Sequence, residues 1–257
     1  MSLLKYLARA TLLLTLLLSS GPLLAQSLRI AAASDLRFAL DEIVALWQQQ
    51  QPDTQVQVIY GSSGKLTTQI INGAPFDLLF AADIAFAEQL HERGLTSSEP
   101  QVHALGRIVL WSNTLDAGQL SLAQLSDPAI RRIAIAQPAH APYGLRAQQA
   151  LQAAGVWEAV EPKLVFAENI AHAAQMAQSG AAQVGIIAMS LAMAPGLAEH
   201  PYLLIDDALH SPLLQGYVIT RRAADKPQAQ AFVAFIESPE VHAIMRRYGF
   251  LLPGEQP

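Results

Sequence analysis

The residues best suited to chemistry are two adjacent serines, Ser62 and Ser63, between two glycines in the stretch GSSG at 61–64. An apolar run at 58–60 precedes them, and helical spacing of apolar residues resumes directly afterwards. The stretch therefore predicts a turn between a strand and a helix, with two hydroxyl groups at the start of the helix. Such a turn could hold a phosphate group, carry a nucleophile or bind a free anion.

Two enzyme signatures fail at this turn on spacing. A phosphate-binding P-loop needs a glycine, four intervening residues and then Gly-Lys-Ser/Thr, but Ile59 stands where the first glycine should be and Leu66 follows Lys65. A nucleophile elbow needs glycines on both sides of the serine at two-residue distance, and Lys65 or Tyr60 occupies one of those positions in either register. The sequence therefore favours neither nucleotide binding nor an elbow-type hydrolase.

A strand-to-helix junction remains a good anion site. The first N–H groups of a helix have no intrahelical acceptor, the helix dipole is positive there, and serine hydroxyls add donors at the same point. The alternative is that Ser62 or Ser63 only caps the helix, since serine is a preferred N-cap residue. Taken alone, the stretch supports the two interpretations equally.

Three further junctions carry small or polar residues in the same position relative to a predicted helix. They are Ser34 and Asp35 after the first apolar run, residues 141–143 ending at Tyr143, and the pair Asn169 and Ile170. In open α/β sheets, ligands bind outside the carboxyl ends of the strands. We therefore expect the four junctions to face one another across a cleft and to donate to one small anion.

The elements that must position these junctions alternate between short β-rich runs and helical patterns. Strands are predicted at 28–33, 56–60, 76–83, 106–112, 132–138, 163–169, 182–190 and 214–220, with helices between most of them and a long C-terminal helix broken at residues 238–239. This alternation predicts an α/β fold with mainly parallel sheets covered by helices. We expect lobe I at 26–104 and 216–257, lobe II at 105–215, and hinge crossings near 103–107 and 213–216.

The first 25 residues have the pattern of a secretory signal peptide. Lys5 and Arg9 precede a Leu-rich run at 11–18, and a cleavage point is predicted after Ala25. Removing these two cations makes the formal net charge of −5 about −7. That balance argues against nucleic-acid binding. With no cysteine for lipid attachment or disulfides, we expect a periplasmic monomer.

The seven histidines show no HxH, HxxxH or HExxH spacing, so the sequence indicates no metal-ion ligands and no cofactor. Surface or capping positions are the interpretation we favour for them.

Longer motifs resemble the periplasmic molybdate-binding proteins of ABC import systems. The likeness extends in order over nearly the whole mature chain and includes AAASDLRFAL, YGSSGKLTTQIINGAPFDLLFAAD, AQPAHAPYGLRAQQAL, VGIIA and RRYGF. The resemblance implies a two-lobed type II periplasmic-binding-protein fold that binds molybdate or tungstate. It also implies delivery to a membrane permease with its ATPase, and no catalytic activity.

The resemblance also implies which residues bind the oxyanion. Ser34 and Ser63, with Ser62 beside them, would donate from lobe I, and Tyr143 and the backbone N–H of Ile170 would donate from lobe II. Some members of the family carry a ligand tyrosine where this chain has Ala188, a departure that leaves the number of donors open.

Asp35 raises an alternative ligand. A carboxylate repels a fully ionised dianion but accepts a hydrogen bond from a protonated one such as hydrogen phosphate, so phosphate or another small oxyanion is the main rival. The favoured interpretation is that the Asp35 side chain points away and stabilises the helix N-terminus. An exported hydrolase using Ser62 or Ser63 is a further alternative without an identifiable base.

Overall fold

Two five-stranded β-sheets with their helices make up residues 26–255, the part of the chain that this computed structural model describes. The predicted signal peptide at 1–25 lies outside the described residues. The strands are β1 (Gln26–Ala33), β2 (Thr54–Gly61), β3 (Leu78–Ala81), β4 (Gln101–Gly106), β5 (Ile108–Trp111), β6 (Ile133–Ala136), β7 (Leu164–Ala167), β8 (Val184–Ala188), β9 (Tyr202–Leu204) and β10 (Leu213–Ile219).

The helices are α1 (Arg37–Gln50), α2 (Ser63–Ile71), α3 (Ala85–Glu92), α4 (Pro142–Ala153), α5 (Trp157–Val160), α6 (Ile170–Gln178), α7 (Met189–Ala192), α8 (Pro227–Ile236) and α9 (Pro239–Arg247). A 3-10 turn at Ser34–Leu36 joins β1 to α1. Among the residues from 26 to 255, no helix combines the length and the apolar character needed to cross a bilayer.

Each sheet contains one strand that runs against the other four. Sheet I has the order β2-β1-β3-β10-β4, and β10 is antiparallel to both β3 and β4. Sheet II has the order β7-β6-β8-β5-β9, and β5 is antiparallel to both β8 and β9. The prediction of mixed, mainly parallel sheets in an α/β fold is confirmed.

Strands buried on both faces account for the continuous apolar runs in the sequence. All residues of β3 and β8 are buried, as expected for strands covered by helices on either side. In β1, Ile30 packs in the core under α1, α8 and α9, whereas its neighbour Ala31 packs in the core under α2 and α3. Alternate side chains of this strand thus hold two helical layers on opposite faces of sheet I.

The chain passes twice between the sheets. It leaves sheet I at Gly106, the end of β4, and enters sheet II at Ile108, the start of β5. It returns through residues 205–212 to β10, where the pairing with β4 is irregular between Gln215 and Gly216. The lobe boundaries and the hinge positions stay a prediction, because membership of a sheet does not define which residues rotate.

Several predicted elements differ in extent from the observed ones. The first α-helix, which the apolar spacing predicts from Asp35, begins at Arg37 because a 3-10 turn comes first. The strand predicted at 76–83 is only Leu78–Ala81; Asp77, just before it, is buried and accepts from the Arg29 N–H at 2.9 Å and Lys226 Nζ at 2.8 Å. Strands β4 and β9 were missed; both are short and partly exposed, and their apolar signal is weak.

Candidate functional site

A small cavity of about 10 Å³ lies where the carboxyl ends of strands from both sheets meet. It brings together the five residues that the resemblance implies as donors and Asp35, the candidate whose role the sequence left open. The lining residues are Ala33, Ser34, Asp35, Gly61, Ser62, Ser63, Ala82, Ala141, Pro142, Tyr143 and Ile170. Each of the six is at most 4% exposed.

Helix starts supply the backbone groups of the cavity wall. Ser63 begins α2, Tyr143 is the second residue of α4, and Ile170 begins α6. Their N–H groups lie in the first turn, where no intrahelical acceptor exists. The start of α4 packs so closely on β6 that a Cβ at Gly144 would lie 2.0 Å from the carbonyl oxygen of Ala136. A glycine at 144 therefore sets the distance of this helix start from the strand.

The Ser63 hydroxyl is oriented by a backbone donor. Its Oγ accepts a hydrogen bond from the N–H of Ala82 at 3.0 Å, and the side chain is fully buried. Because a hydroxyl both accepts and donates, the bound N–H leaves the Ser63 proton free to point toward another acceptor. No protein acceptor for that proton occurs among the described residues.

The hydroxyls of Ser34 and Ser62 bridge elements attached to different sheets. Ser34 Oγ accepts from the Ala171 N–H at 3.2 Å and donates to Asn169 Oδ1 at 3.1 Å. Ser62 Oγ lies 2.9 Å from His140 Nδ1. Both serines follow strands of sheet I, and their partners belong to the sheet II half of the cavity.

Asp35 forms a buried network with Tyr143 and Gln215. Its Oδ2 accepts from Tyr143 Oη at 3.0 Å and from Gln215 Nε2 at 2.5 Å, whereas its Oδ1 is buried and has no partner among the described residues. Burial raises the pKa of Asp35 from 3.8 to about 6, and the hydrogen bonds from Gln215 and Tyr143 lower it only in part. Burial and the adjacent carboxylate also raise the pKa of Tyr143 well above 10, so its hydroxyl remains a donor.

This network corrects one sequence interpretation and limits another. Asp35 does not point away to stabilise a helix N-terminus; it is 1% exposed and bonded to Tyr143 and Gln215. The Tyr143 hydroxyl is committed to Asp35 and not free at the cavity. Gly106 makes the arrangement possible, because a Cβ there would lie 2.2 Å from Tyr143 Oη.

Further contacts join the two halves of the molecule around the cavity. Arg146 Nη2 on α4 donates to Asp83 Oδ2 after β3 at 2.6 Å, in a largely buried ion pair. Lys65 on α2 pairs with Glu168 at 3.0 Å on the surface. The N–H of Gly64 donates to the carbonyl of His140 at 3.0 Å. The cavity is thus closed by bonds that cross from one sheet's elements to the other's.

Sequence reasoning missed three residues of this region: Gln215, His140 and Arg146. Gln215 lies inside an apolar strand pattern, and Arg146 looks like an exposed helix position, so neither gives a signal in one sequence. His140 was assigned to the surface or to capping, but it bonds across the cavity. The assignment to the surface or to capping is also wrong for His103, which is buried and packs against Phe80.

The cavity lacks the complete serine, histidine and carboxylate arrangement of a serine hydrolase among the described residues. Ser62 and His140 are within hydrogen-bond distance, but no carboxylate among the described residues hydrogen-bonds to that imidazole to orient it. No group of three His, Cys, Asp or Glu side chains within residues 26–255 is placed to hold a metal ion. What the cavity offers is neutral donors, hydroxyl and N–H groups, gathered at helix starts; this chemistry suits a small anion.

Two helix-covered sheets with a polar cavity between them define the class of periplasmic solute-binding proteins. The chain belongs to the bacterial extracellular solute-binding protein family, whose model matches residues 28–251.

Similar proteins carry more specific names. The chain is 33% identical over 230 residues to the molybdate-binding protein ModA of Azotobacter vinelandii, covering 88% of this chain and 90% of that one. It is 32% identical over 226 residues to ModA of Rhodobacter capsulatus, covering 86% of both chains. Among solved structures, the periplasmic molybdate-binding protein of A. vinelandii superposes with a TM-score of 0.83 at 29% identity, covering 88% of this chain and 99% of that one.

Proposed function

We propose that this protein binds molybdate in the cavity between its sheets and delivers it to an ABC permease. The observation that carries the proposal is the convergence of four strand-to-helix junctions on one buried cavity, where neutral donors surround the carboxyl group of Asp35. The relatives named for molybdate binding support the choice of cargo. Tungstate, a dianion of the same shape, is the second cargo that we propose.

The ligand set that we propose contains Ser34, Ser62, Ser63, Tyr143 and Ile170. Ser63 donates its free hydroxyl proton, and Tyr143 and Ile170 donate their backbone N–H groups. Ser34 and Ser62 reach the anion by turning their hydroxyls from their present partners. Neutral donors avoid the cost of burying a counter-cation, and the helix starts supply partial positive charge.

With Ala188 in place of a tyrosine, the cavity lacks the hydroxyl donor that some members of the family have at this position. The residue ends β8, is fully buried and does not line the cavity. We propose that the N–H groups of the first turn of α4 complete the donor set in place of a tyrosine at 188. Discrimination against sulfate then rests on cavity size, because the donor chemistry is the same for both dianions.

Transport would follow from movement of the two lobes, which we assign to residues 26–104 with 216–257 and to 105–215. Closure brings the junctions that carry Ser34 and Ser62 close to the starts of α6 and α4 and encloses the anion between them. In this proposal the exported chain acts as a periplasmic monomer without cofactor or catalytic step. The closed form docks on a permease whose ATPase drives release.

The test is thermal unfolding of the protein recovered from the periplasm of an expressing bacterium. Molybdate, tungstate, sulfate and phosphate are compared at matched ionic strength. A ligand at about a thousand times its Kd adds roughly 4 kcal/mol to the free energy of unfolding, which for a chain of this length raises Tm by about 8 to 16 °C. We expect this rise with molybdate and tungstate only.

Two serine variants make the test specific for the cavity. Ser63→Ala removes a buried hydroxyl donor and should reduce the molybdate shift, whereas Ser126→Ala changes an exposed serine bonded to a local carbonyl and should leave it unchanged. A shift with phosphate alone would replace the cargo but keep the transport role. Equal shifts with all four anions, or none with any, would refute the proposal.

A further inference from the structure

Asp35 is a buried carboxyl group that the donor set described above does not use. It lines the cavity, and its Oδ2 already accepts from Tyr143 and Gln215. Oδ1 is buried without a partner among the described residues. A side chain in this position either repels an incoming dianion or binds it.

Among residues 26–255, no cation balances the charge of Asp35. The groups around it are the Tyr143 hydroxyl on α4, the Gln215 amide on β10, and the Ser190 hydroxyl of α7, which donates to the Asp35 backbone carbonyl at 2.8 Å. Arg146, one turn along α4, is paired with Asp83. Arg107, at the passage between the sheets, lies 3.5 Å from the Gly249 carbonyl.

Placing a dianion against an ionised, uncompensated carboxylate in a buried site is strongly unfavourable. A single proton removes the conflict, since a protonated carboxyl donates to an anion oxygen instead of repelling it. The Tyr143 hydroxyl and the Gln215 amide both donate to Oδ2 of Asp35. The proton of a neutral Asp35 carboxyl group therefore belongs on Oδ1.

We propose that Asp35 is a further ligand that binds the oxyanion through one shared proton, held between its Oδ1 and an oxygen of the anion. The inference rests on the proposed function, because it concerns the same cavity. Molybdate, tungstate and sulfate arrive fully ionised, so the proton is taken up from solvent onto Asp35. Hydrogen phosphate would bring the proton with it, so any binding of phosphate would need no uptake.

The elevated pKa of free Asp35, about 6, supports this assignment. At pH 7 to 8 the free carboxyl is mostly ionised, and the bound anion raises its pKa further. Each molybdate should therefore carry almost one proton into the site in this range, and Kd should rise about tenfold per pH unit. Below pH 6 the free carboxyl is already protonated, so the uptake and the slope both fall.

Isothermal titration calorimetry tests this directly on the unaltered protein. Molybdate is titrated at pH 6, 7 and 8 in buffers with different ionisation enthalpies, and the dependence of the heat on the buffer gives the number of protons taken up. We expect nearly one at pH 8 for molybdate and none for phosphate, should phosphate bind. Molybdate binding with no proton uptake and a flat Kd would overturn the inference and leave the proposed function intact.

His140 is a further titratable side chain beside the cavity, which it contacts through Ser62. Two variants separate it from Asp35. Asp35→Asn should abolish proton uptake and the pH slope of Kd, while His140→Gln should retain both. The reverse pattern would assign the proton to the imidazole and overturn the inference. Failure of every anion to bind at any pH would remove the proposed function together with it.

Discussion

The ion pair between Arg146 and Asp83 should act as a closure contact, and its removal should weaken anion binding. The pair joins α4, which starts at the sheet II side of the cavity, to the end of β3 in sheet I. Its side chains are 8% and 20% exposed, and Arg146 also donates to the Pro212 carbonyl at 3.1 Å. Arg146→Met keeps most of the side-chain length and removes the charge.

The magnitude follows from burial. Breaking a fully buried pair by removing one partner costs about 3–5 kcal/mol. Because Asp83 keeps some contact with solvent, we expect the loss of this pair to cost about 1.5–3 kcal/mol, between the values for exposed and buried pairs. If the pair forms only in the closed form, the loss appears in the binding free energy, and Kd should rise about 10- to 150-fold.

Lys65→Gln is the matched control, because it removes the same charge from another bridge across the cavity. Lys65 and Glu168 are 45% and 61% exposed, and exposed pairs contribute less than about 1 kcal/mol. Calorimetry should therefore find at most about a fivefold change in Kd for this variant.

Two results would refute the reasoning. One is an equal loss of affinity in both variants, which would reflect long-range attraction of the dianion by positive charge. The other is an unchanged Kd in Arg146→Met together with a Tm that falls equally with and without the anion. That result would show that the pair stabilises the fold in both the open and the closed form.

Three further predictions concern positions where the structure leaves little room or buries a charge. Gly106→Ala places a Cβ where Tyr143 Oη now lies, so it should weaken molybdate binding in calorimetry by about tenfold or more while the protein still folds. Gly144→Ala drives a Cβ against the Ala136 carbonyl, and the cost of about 3 kcal/mol should lower Tm by about 6 to 12 °C in a calorimetric scan. Burial lowers the pKa of His103 to about 4, so between pH 6.5 and 4 the unfolded chain binds more protons than the folded protein. Up to about 3 kcal/mol of the stability present above pH 6.5 should therefore be lost on acidification. Denaturant titrations at several pH values should find a smaller loss in His103→Phe.

Much of the fold follows from local pattern. The apolar runs of β1, β3 and β8 and the helical spacing of α1 identify these elements because burial on both faces of a sheet leaves a continuous signal. β9 gives no such signal, since it is three residues long and partly exposed. Its existence depends on pairing with β5, a contact that no local window contains.

The same distinction explains which parts of the site were found. Ser34, Ser62, Ser63 and Ile170 stand at junctions between strands and helices, and the rule that ligands bind at the carboxyl ends of strands is enough to group them. Gln215 and Arg146 lie within regular elements. Their importance comes from partners 180 and 63 residues away in the chain, Asp35 and Asp83.

Asp35 shows why the role of a site residue is harder to predict than its position. Its place beside Ser34 was visible, and an exposed carboxylate at a helix start would have been the ordinary outcome. The 3-10 turn instead directs the side chain inward, where Gln215, Tyr143 and the missing Cβ of Gly106 receive it. A carboxylate that looks incompatible with a dianion becomes compatible once it is buried deeply enough to take up a proton, and that depth is set by residues from β4, α4 and β10 together.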